Sequence, residues 1–562
     1  MQPFVTGLDV VSSLPLIVVC AFGIFALLLE VFQRPSFSRQ YIAYVAAFGF
    51  LLAGVTALGV GRLDGVAAFS GMSHLDGYTS VMTAIFCLGG GLTALVAPNY
   101  LEEQGLDRGE FYGLLLLSVG GMIAMATAGD LVTFFIGLEI MSIAVYALTA
   151  FLRSSARSAE AGMKYFFIGA FASGLLLYGI AMIYGATGTT NLAEIHAVLS
   201  RVTDTPAGVS LASHDALIAA AGARDAAMHP LTLDFGVGAL DISLVHVGVL
   251  FIAVAFAVKV AAAPFHMWAP DAYTGAPTPV VGFMAATVKA ASFAALVRIL
   301  VTGFFADIVR VGDYGWVAFF MVVSFVSIVF GNTVAIVQTN VKRMLAYSSV
   351  AHAGYMLIGV AAMGFGAGSV EMGSSIVFYA LAYTVGTVGA FGAIAYVGRR
   401  GSEIETYDDL NGLGFKYPWL GAALAVFMLS SAGIPPAAGF MAKLLVFKAA
   451  INASVVGAAA DVPGAGMLMT LAVLGIVTSV AGVYYYLKVI VHLYMKKPRR
   501  EMVELPNAGA KFAIILCALA TLWIGMFPGK YVDHAERAMD QMGARPDGVY
   551  VQPSTIADDT AR

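Results

Sequence analysis

The sequence predicts an all-α membrane protein with about 14 transmembrane helices. Three observations lead to this fold class: the composition is strongly apolar, long apolar stretches recur along the chain, and basic residues alternate between successive connections. Hydrophobic residues make up 60% of the 562 residues and charged residues only 11%, against about 25% charged in soluble domains. The mean hydropathy is +0.86. The net charge of -4 is spread along the chain, which argues against a nucleic-acid partner.

The apolar stretches have the length of membrane-spanning helices. A helix needs about 20 mostly apolar residues to cross the hydrocarbon core, whereas the strands of a barrel would give short alternating runs. The stretches that meet the helical requirement are residues 14–32, 41–60, 78–97, 111–128, 131–152, 162–185, 243–263, 277–302, 315–337, 343–364, 374–397, 419–449, 465–495 and 510–528.

The distribution of lysine and arginine tests this number of helices. Positive charge accumulates in the connections on the cytoplasmic side of a membrane. Connections after odd-numbered helices hold about fifteen Lys and Arg, and those after even-numbered helices hold about four before the C-terminal tail. We therefore expect a multi-pass protein of the cell inner (plasma) membrane with both termini on the external side.

Prolines within two spans predict a duplicated architecture. Pro264 follows the seventh span, and Pro435 and Pro436 interrupt the twelfth. Because proline breaks a helix, both spans should be discontinuous. The two spans are an odd number apart, so spans 4–8 and 9–13 would form two inverted five-helix repeats, as in transporters. This divides the chain into helices 1–3 (residues 1–100), the first repeat with a long external loop at 189–241 (101–303), the second repeat (304–497), and a last helix with a short polar tail (498–562).

Ionisable residues in the middle of predicted spans are the main functional signal. A charge at that depth costs about 2.5–3.5 kcal/mol on insertion scales. Glu139 and Lys289 lie near the centres of the fifth and eighth spans, and Lys259 and Lys443 lie beside the two breaks. Half-helix ends and unwound backbone can stabilise ions at such breaks. A buried Lys also releases its proton more readily when an acidic partner moves or is protonated, so these residues could form a proton relay.

Three further residues have two readings each. Lys164 opens the sixth predicted span, where it is either part of the relay or a structural anchor that extends to the membrane surface. His266 and His352 are either relay groups, because imidazole titrates near neutral pH, or hydrogen-bonded core histidines. The remaining charged residues of the spans lie nearer helix ends and receive no role: Arg298, Lys448, Lys488 and His492.

The sequence offers no cofactor or metal site of its own. The three cysteines, Cys20, Cys87 and Cys517, lie in separate apolar stretches without CxxC spacing. The glycine cluster at 89–91 lies inside a predicted span rather than between a strand and a helix, so it is not a dinucleotide-binding loop. In the long external loop we expect an amphipathic helix, and His196, His214 and His229 are too far apart to suggest a metal site.

Four stretches resemble a known family. These are LVTFFIGLEIMSIAVYAL, SAEAGMKYFFIGAFASGLLLYGIAMIYGATGTTNL, KVAAAPFHMWAPDAYTGAPTPVVGFMA and NVKRMLAYSSVAHAGYMLIGV. They closely resemble the antiporter-like membrane subunits of respiratory complex I, the proton-pumping NADH:quinone oxidoreductase, and most closely the subunit N branch. The M-type branch usually has Glu at the position of Lys443, and the L-type branch has a long lateral C-terminal helix. The stretch 201–230 is longer than the family pattern.

The resemblance implies functional roles and partners. It assigns the proton channel to Glu139, Lys164, Lys259, Lys289 and Lys443, with His266 and His352 as relay histidines. It also implies that the other membrane and peripheral subunits of complex I are the partners, together with the lipid bilayer. NADH, FMN, iron-sulfur clusters and quinone would be bound by those subunits. Electron transfer there would reset the Glu139 and Lys259 pair and so drive protons from the cytoplasm to the outside.

Three alternatives remain open. A large subunit of a multi-subunit sodium/proton antiporter would exchange sodium without NADH or quinone. A membrane-arm subunit of a hydrogenase-type complex is the second alternative. A purely structural scaffold is the third, and it predicts that Lys289→Ala leaves pumping intact.

Overall fold

The computed structural model describes residues 6–33, 38–61, 66–203, 231–234, 239–242, 244–310, 315–365, 369–399, 402–499, 503–505 and 507–543. Within these ranges the chain is mostly helical, with short hairpins and turns in the connections, and 13 helices are long and apolar enough to cross a membrane. The all-α membrane fold predicted from composition is confirmed.

The first half of the described chain contains helices α1 Gly7–Ser12, α2 Leu14–Phe32, α3 Gln40–Val60, α4 Gly77–Glu103, α5 Glu110–Thr127, α6 Leu131–Thr149, α7 Ala156–Thr187, α8 Leu192–Thr203, α9 Leu244–Lys259, α10 Trp268–Gly275 and α11 Thr278–Thr302. The second half contains α12 Asp307–Arg310, α13 Trp316–Val337, α14 Val341–Met363, α15 Ser369–Ala395, α16 Leu413–Lys416, α17 Pro418–Ala432, α18 Ala438–Ala459, α19 Ala465–Met495, α20 Ala508–Met526 and α21 Gly529–Gly543.

Three antiparallel two-stranded hairpins lie in the connections. They pair β1 Val66–Ala68 with β2 Ser73–Leu75, β3 Leu231–Asp234 with β4 Ala239–Ile242, and β5 Gly398–Arg399 with β6 Ser402–Glu403.

Two of the predicted spans are broken where the prolines lie. The seventh span is helical only over α9, which ends at Lys259, and its second part is the short helix α10. This accounts for 13 long helices where the sequence predicts about 14. The twelfth span divides into α17 and α18, and Gly433 with φ 84° ends α17 in the left-handed conformation that glycine adopts without strain.

Side-chain caps fix where several site helices begin. The Asp130 carboxylate accepts from the backbone N–H of Val132 at 2.7 Å ahead of α6, and the Asn340 side chain accepts from Arg343 N at 2.9 Å ahead of α14. Such caps satisfy backbone N–H groups that have no partner within the helix. They therefore fix the residue at which α6 and α14 each begin, and with it the face of the helix on which the polar residues lie.

Burial differs strongly among the helices. The hydrophobic segments of α11, α14 and α15 are 100%, 94% and 89% buried, whereas that of α2 is only 22% buried. An exposed apolar helix surface in a membrane protein is the surface that contacts lipid or a neighbouring subunit. The helix that carries Lys289 is therefore at the centre of the protein.

Three local expectations change. α7 begins at Ala156, six residues before the predicted start at 162, so Lys164 lies inside the helix rather than at its opening. The polar tail after Pro528 begins with a 15-residue helix, α21, whose Ala535 and Met539 are buried, because its apolar face packs on α4 and α15. In the long loop, α8 matches the expected amphipathic helix, whereas the stretch 204–230, with His214 and His229, lies outside the described residues.

Candidate functional site

Glu139 lies on α6 and is partly buried. Its Oε1 accepts a hydrogen bond from Ser173 Oγ of α7. Among the described residues it forms no ion pair with Lys259, contrary to the pairing expected from the sequence. The hydroxyl of Ser173 satisfies the carboxylate instead.

Lys259 is the last residue of α9 and is 4% exposed. Its ammonium donates to Ser142 Oγ at 2.9 Å and to Tyr146 Oη at 3.1 Å, both on α6. Ser142 lies one turn from Glu139 on the same helix, so side chains at this spacing share a face. Glu139, Ser142, Tyr146, Ser173 and Lys259 thus form one polar group, which we call the α6 cluster.

Lys289 is 3% exposed and follows a π-helical turn, Met284–Val288. Its ammonium donates to the backbone carbonyl and the hydroxyl of Ser349 on α14 and lies 5.8 Å from the ring centre of Tyr383. π-helical turns within α-helices are frequent at functional sites. The turn changes the helical register immediately before the buried amine.

His352 has a hydroxyl partner at each ring nitrogen. Nδ1 lies 2.6 Å from Tyr379 Oη and Nε2 lies 3.0 Å from Tyr486 Oη, and Tyr486 in turn bonds to Ser348. A neutral imidazole donates through one nitrogen and accepts through the other. A histidine held on both sides by hydroxyls can therefore take a proton at one nitrogen and release one at the other.

Lys443 lies on α18, just after the break in the twelfth span. Its ammonium donates to the carbonyls of Ser431 and Ala432 at 2.9 and 3.0 Å and to Ser479 Oγ at 2.8 Å. Both carbonyls belong to the last residues of α17, which have no intrahelical partner for their oxygens. Here the break supplies the ligands of the buried charge, as the sequence led us to expect.

Helix α14 lies between Lys289 and Lys443 and contacts both. Ser349, His352 and Tyr355 recur every third residue and so share one face of the helix. Ser349 holds Lys289, and the ring centre of Tyr355 lies 5.3 Å from the Lys443 ammonium. We call Lys289, Ser349, His352, Tyr355 and Lys443 the α14 row.

The structure leaves two of the predicted site residues apart from these groups. Lys164 has a 44% exposed side chain and pairs with Glu160 at 2.7 Å and with Asp271 at 2.8 Å. His266 is buried against Phe330, with ring centres 4.8 Å apart, and its Nδ1 has no hydrogen-bond partner in the described part of the chain. Neither contacts the α6 cluster or the α14 row directly.

Two kinds of buried polar residue receive no role in the sequence analysis. The first is the set of hydroxyls that bind Glu139, the buried amines and His352, which in the sequence look like ordinary residues of apolar helices: Ser142, Tyr146, Ser173, Ser349, Tyr379, Ser479 and Tyr486. The second is Arg298, to which the sequence gives no role: it is 2% exposed, with Nη2 2.8 and 2.9 Å from the two Asp76 oxygens. Among the described residues, no group of three or more His, Cys, Asp and Glu is arranged to hold a metal ion.

Sequence comparison relates most of the chain to known proteins. The family described as NADH:quinone oxidoreductase/Mrp antiporter, TM, matches residues 128–470. NADH-quinone oxidoreductase subunit N 1 of Sorangium cellulosum (strain So ce56) is 40% identical over 541 residues, which cover 93% of this chain and 97% of that protein. NADH-quinone oxidoreductase subunit N of Trichlorobacter lovleyi is 38% identical over 528 residues, or 94% of this chain and 96% of that protein.

Solved structures share the fold. A chain of respiratory complex I from Thermus thermophilus with bound aureothin superposes with a TM-score of 0.69 at 30% identity, covering 93% of this chain and 100% of that one. A chain of the Mrp complex from Dietzia has a TM-score of 0.73 at 21% identity, over 94% of this chain and 97% of that one; at this identity the likeness concerns the fold alone. The chain therefore belongs to the family of antiporter-like membrane subunits of complex I that includes subunit N of NADH-quinone oxidoreductase.

Proposed function

We propose that this chain is the N-type proton-translocating subunit of an NADH:quinone oxidoreductase. Protons would pass through the α6 cluster and the α14 row, driven by electron transfer in partner subunits that bind NADH, FMN, iron-sulfur clusters and quinone. The observation that supports this most directly is the α14 row. One face of a buried helix carries Ser349, which binds Lys289, and Tyr355, whose ring lies against Lys443. Between them lies His352, whose two ring nitrogens bond to hydroxyls.

The bonding of the lysines explains how they would work. Each ammonium is held by hydroxyl or carbonyl oxygens rather than by a fixed carboxylate. Neutral ligands stabilise the protonated amine without a strong ion pair. When the amine loses its proton, no buried carboxylate is therefore left without a partner. Protonation of Glu139 would remove a negative charge near Lys259, whose ammonium is held by Ser142 and Tyr146 of the same helix as Glu139. Lys259 would then release its proton more readily, and proton transfer would begin at the α6 cluster.

The predicted division into inverted halves, residues 101–303 and 304–497, is part of the proposal. It is supported by a broken helix beside a buried lysine in each half and by matching helix pairs, since α5 packs on α6 and α13 packs on α14. In this arrangement both termini face the outside of the inner membrane, and the Lys- and Arg-rich connections face the cytoplasm.

Lys289→Met is the central test. In the assembled complex, reconstituted in vesicles, we expect proton uptake per NADH oxidised to fall at least about ten-fold, because an apolar side chain cannot carry a proton. NADH:quinone electron transfer measured with an uncoupler should remain. The matched control is Lys448→Met, since that lysine is 59% exposed and pairs with Glu371 at 3.0 Å. Normal pumping in Lys289→Met would favour the scaffold function instead.

Tyr379→Phe tests the role of His352 in the row. Losing the hydroxyl at Nδ1 should slow proton uptake about five-fold, equivalent to one hydrogen bond of roughly 1 kcal/mol. Tyr178→Phe serves as control because Tyr178 is 59% exposed on α7. Equal rates in the two variants would show that His352 is a structural residue.

A sodium/proton antiporter is the competing function, because the Mrp chain shares the fold. It predicts sodium-driven proton exchange by vesicles that contain the protein but neither NADH nor quinone. We expect no such exchange.

A further inference from the structure

A polar cavity of about 600 Å³ lies outside the α6 cluster and the α14 row. Its wall is formed by the ends of helices and by connections, and it includes Tyr100, Arg157, Thr274, Lys342, Glu403 and Glu405. It therefore brings together both predicted halves of the chain. No residue of the α6 cluster or the α14 row lines it.

The cavity lies on the Lys- and Arg-rich face of the protein. Thr274 and Lys342 stand at the end of α10 and the start of α14, and Glu403 follows α15. At the rim, Arg157 pairs with Glu405 at 2.8 Å, and both side chains are about half exposed. By the distribution of basic residues this face is cytoplasmic.

Glu403 and Lys342 form the inner wall. Glu403 Oε2 lies 2.7 Å from the Lys342 ammonium, and the two side chains are 22% and 4% exposed. Glu403 Oε1 accepts from Tyr100 Oη at 2.7 Å. Burial by itself raises the pKa of Glu403, but the Lys342 ammonium and the surrounding hydroxyls together bring that pKa below its ordinary value. Glu403 is thus ionised, and a proton that it takes up from the solvent side is held only weakly and is readily passed on.

Glu403 also contacts the helix that carries Lys289. Thr278 Oγ1 donates to Glu403 Oε2 at 3.3 Å, and Thr278 is the first residue of α11. At about 1.5 Å per residue, Lys289 lies roughly 16 Å further along this helix. Within the described chain, the buried hydroxyls of Thr287 on α11 and Thr384 on α15 have no hydrogen-bond partner. Both side chains lie against Gly89 of α4, which places unpaired polar groups next to the Lys289 region.

We propose that this cavity is the solvent inlet of the proton pathway and that the Glu403–Lys342 pair is its inner gate. A proton from the cavity solvent binds the Glu403 carboxylate and neutralises it, which weakens its attraction for the Lys342 ammonium. The same proton then leaves inward along α11 towards Lys289, and the ion pair forms again. The inference rests on the proposed function and adds to it an entrance and two residues.

Glu403→Gln tests the gate, because the amide keeps the size of the side chain but cannot bind the proton. In the complete complex in vesicles, we expect proton uptake per NADH to fall at least about five-fold, with electron transfer in uncoupler retained. Glu403→Asp should restore part of the uptake. Glu371→Gln, which changes an acid at the other end of α15, is the control.

A second measurement avoids the question of folding. Thr274→Cys places a thiol in the cavity wall, in a background where Cys20, Cys87 and Cys517 are replaced by Ser or Ala. A membrane-impermeant, positively charged thiol reagent added on the cytoplasmic face should lower proton uptake at least about five-fold relative to the same variant before labelling. Lys497→Cys, an exposed position on the same face, should label without this loss.

The outcomes separate the inlet from the pathway. If Lys289→Met stops pumping but Glu403→Gln and labelled Thr274→Cys pump normally, the cavity is not the inlet of the proton pathway and the proposed function stands. If Lys289→Met pumps normally, both the proposed function and the proposed inlet are wrong. Loss of uptake in all three supports both.

Discussion

Arg298→Met should greatly reduce the amount of folded subunit in the membrane. The change leaves Asp76 buried without its partner, and an uncompensated buried charge costs roughly 3–5 kcal/mol. The Arg298 guanidinium also lies 5.4 Å from the ring centre of Tyr78, whose hydroxyl donates to Ala294 O at 2.9 Å. We expect little assembled complex by native electrophoresis and a clearly lower melting temperature of what remains.

Arg499→Met is the control, and a double variant tests the charge balance. Arg499→Met removes an exposed ion pair with Asp408, in which the side chains are 71% and 49% exposed, and such pairs contribute only about 0–1 kcal/mol. The double variant Asp76→Asn with Arg298→Met should recover part of the loss, because no buried charge is left and Asn can still cap α4. Full assembly of the single variant Arg298→Met would show that the pair does not hold α4 to α11.

Gly121→Val should separate α5 from α6. A Cβ at Gly121 would lie 2.4 Å from Met141 N and 2.7 Å from Gly137 O, and a Cβ at Gly137 would lie 2.6 Å from Met125 N. Close approach of two backbones through small residues is a common way of joining membrane helices. Overpacking costs about 1–3 kcal/mol, occasionally more, and here the obstructing atoms are backbone atoms that cannot rotate away.

The displacement should also reach the site, because α6 carries Glu139, Ser142 and Tyr146. We therefore expect lower thermal stability of the complex together with loss of proton uptake. Gly174→Val on α7 is the control, since a Cβ there meets no atom within 4 Å. If Gly121→Val melted at the same temperature as Gly174→Val, the contact between α5 and α6 would not be as close as the structure shows.

The α6 cluster, the α14 row and Lys164 are bound in different ways. The α6 cluster is held by hydroxyls of α6 and α7, whereas the α14 row uses one face of a helix that is buried along its length. Lys164 is bound by two carboxylates at the protein surface. These contacts support a role for Lys164 as a structural anchor and not as a member of the α6 cluster or the α14 row.

Much of the fold follows from the sequence because the bilayer imposes strict rules. Apolar length and the alternation of basic connections are enough to predict the spans, and the prolines locate both breaks, at 264 and at 435–436. The charged residues Lys259, Lys289 and Lys443 stand out because charge is rare at that depth. The helix after Pro528 is not predicted because most of its residues are polar, and its apolar face becomes evident where it packs on α4 and α15.

Hydropathy, proline and charge are properties of single residues and short segments, so they are enough to predict a multi-span helical membrane protein with buried lysines beside broken helices. The partners of these residues are visible only once the helices are packed: the oxygens that hold each amine, the bond of Glu139 to Ser173 rather than to Lys259, and the pairing of Arg298 with Asp76. These partners lie far apart in the chain, and a serine or tyrosine in an apolar helix carries no sign of which distant side chain it will meet. Packing of the helices creates those contacts, and with them the site.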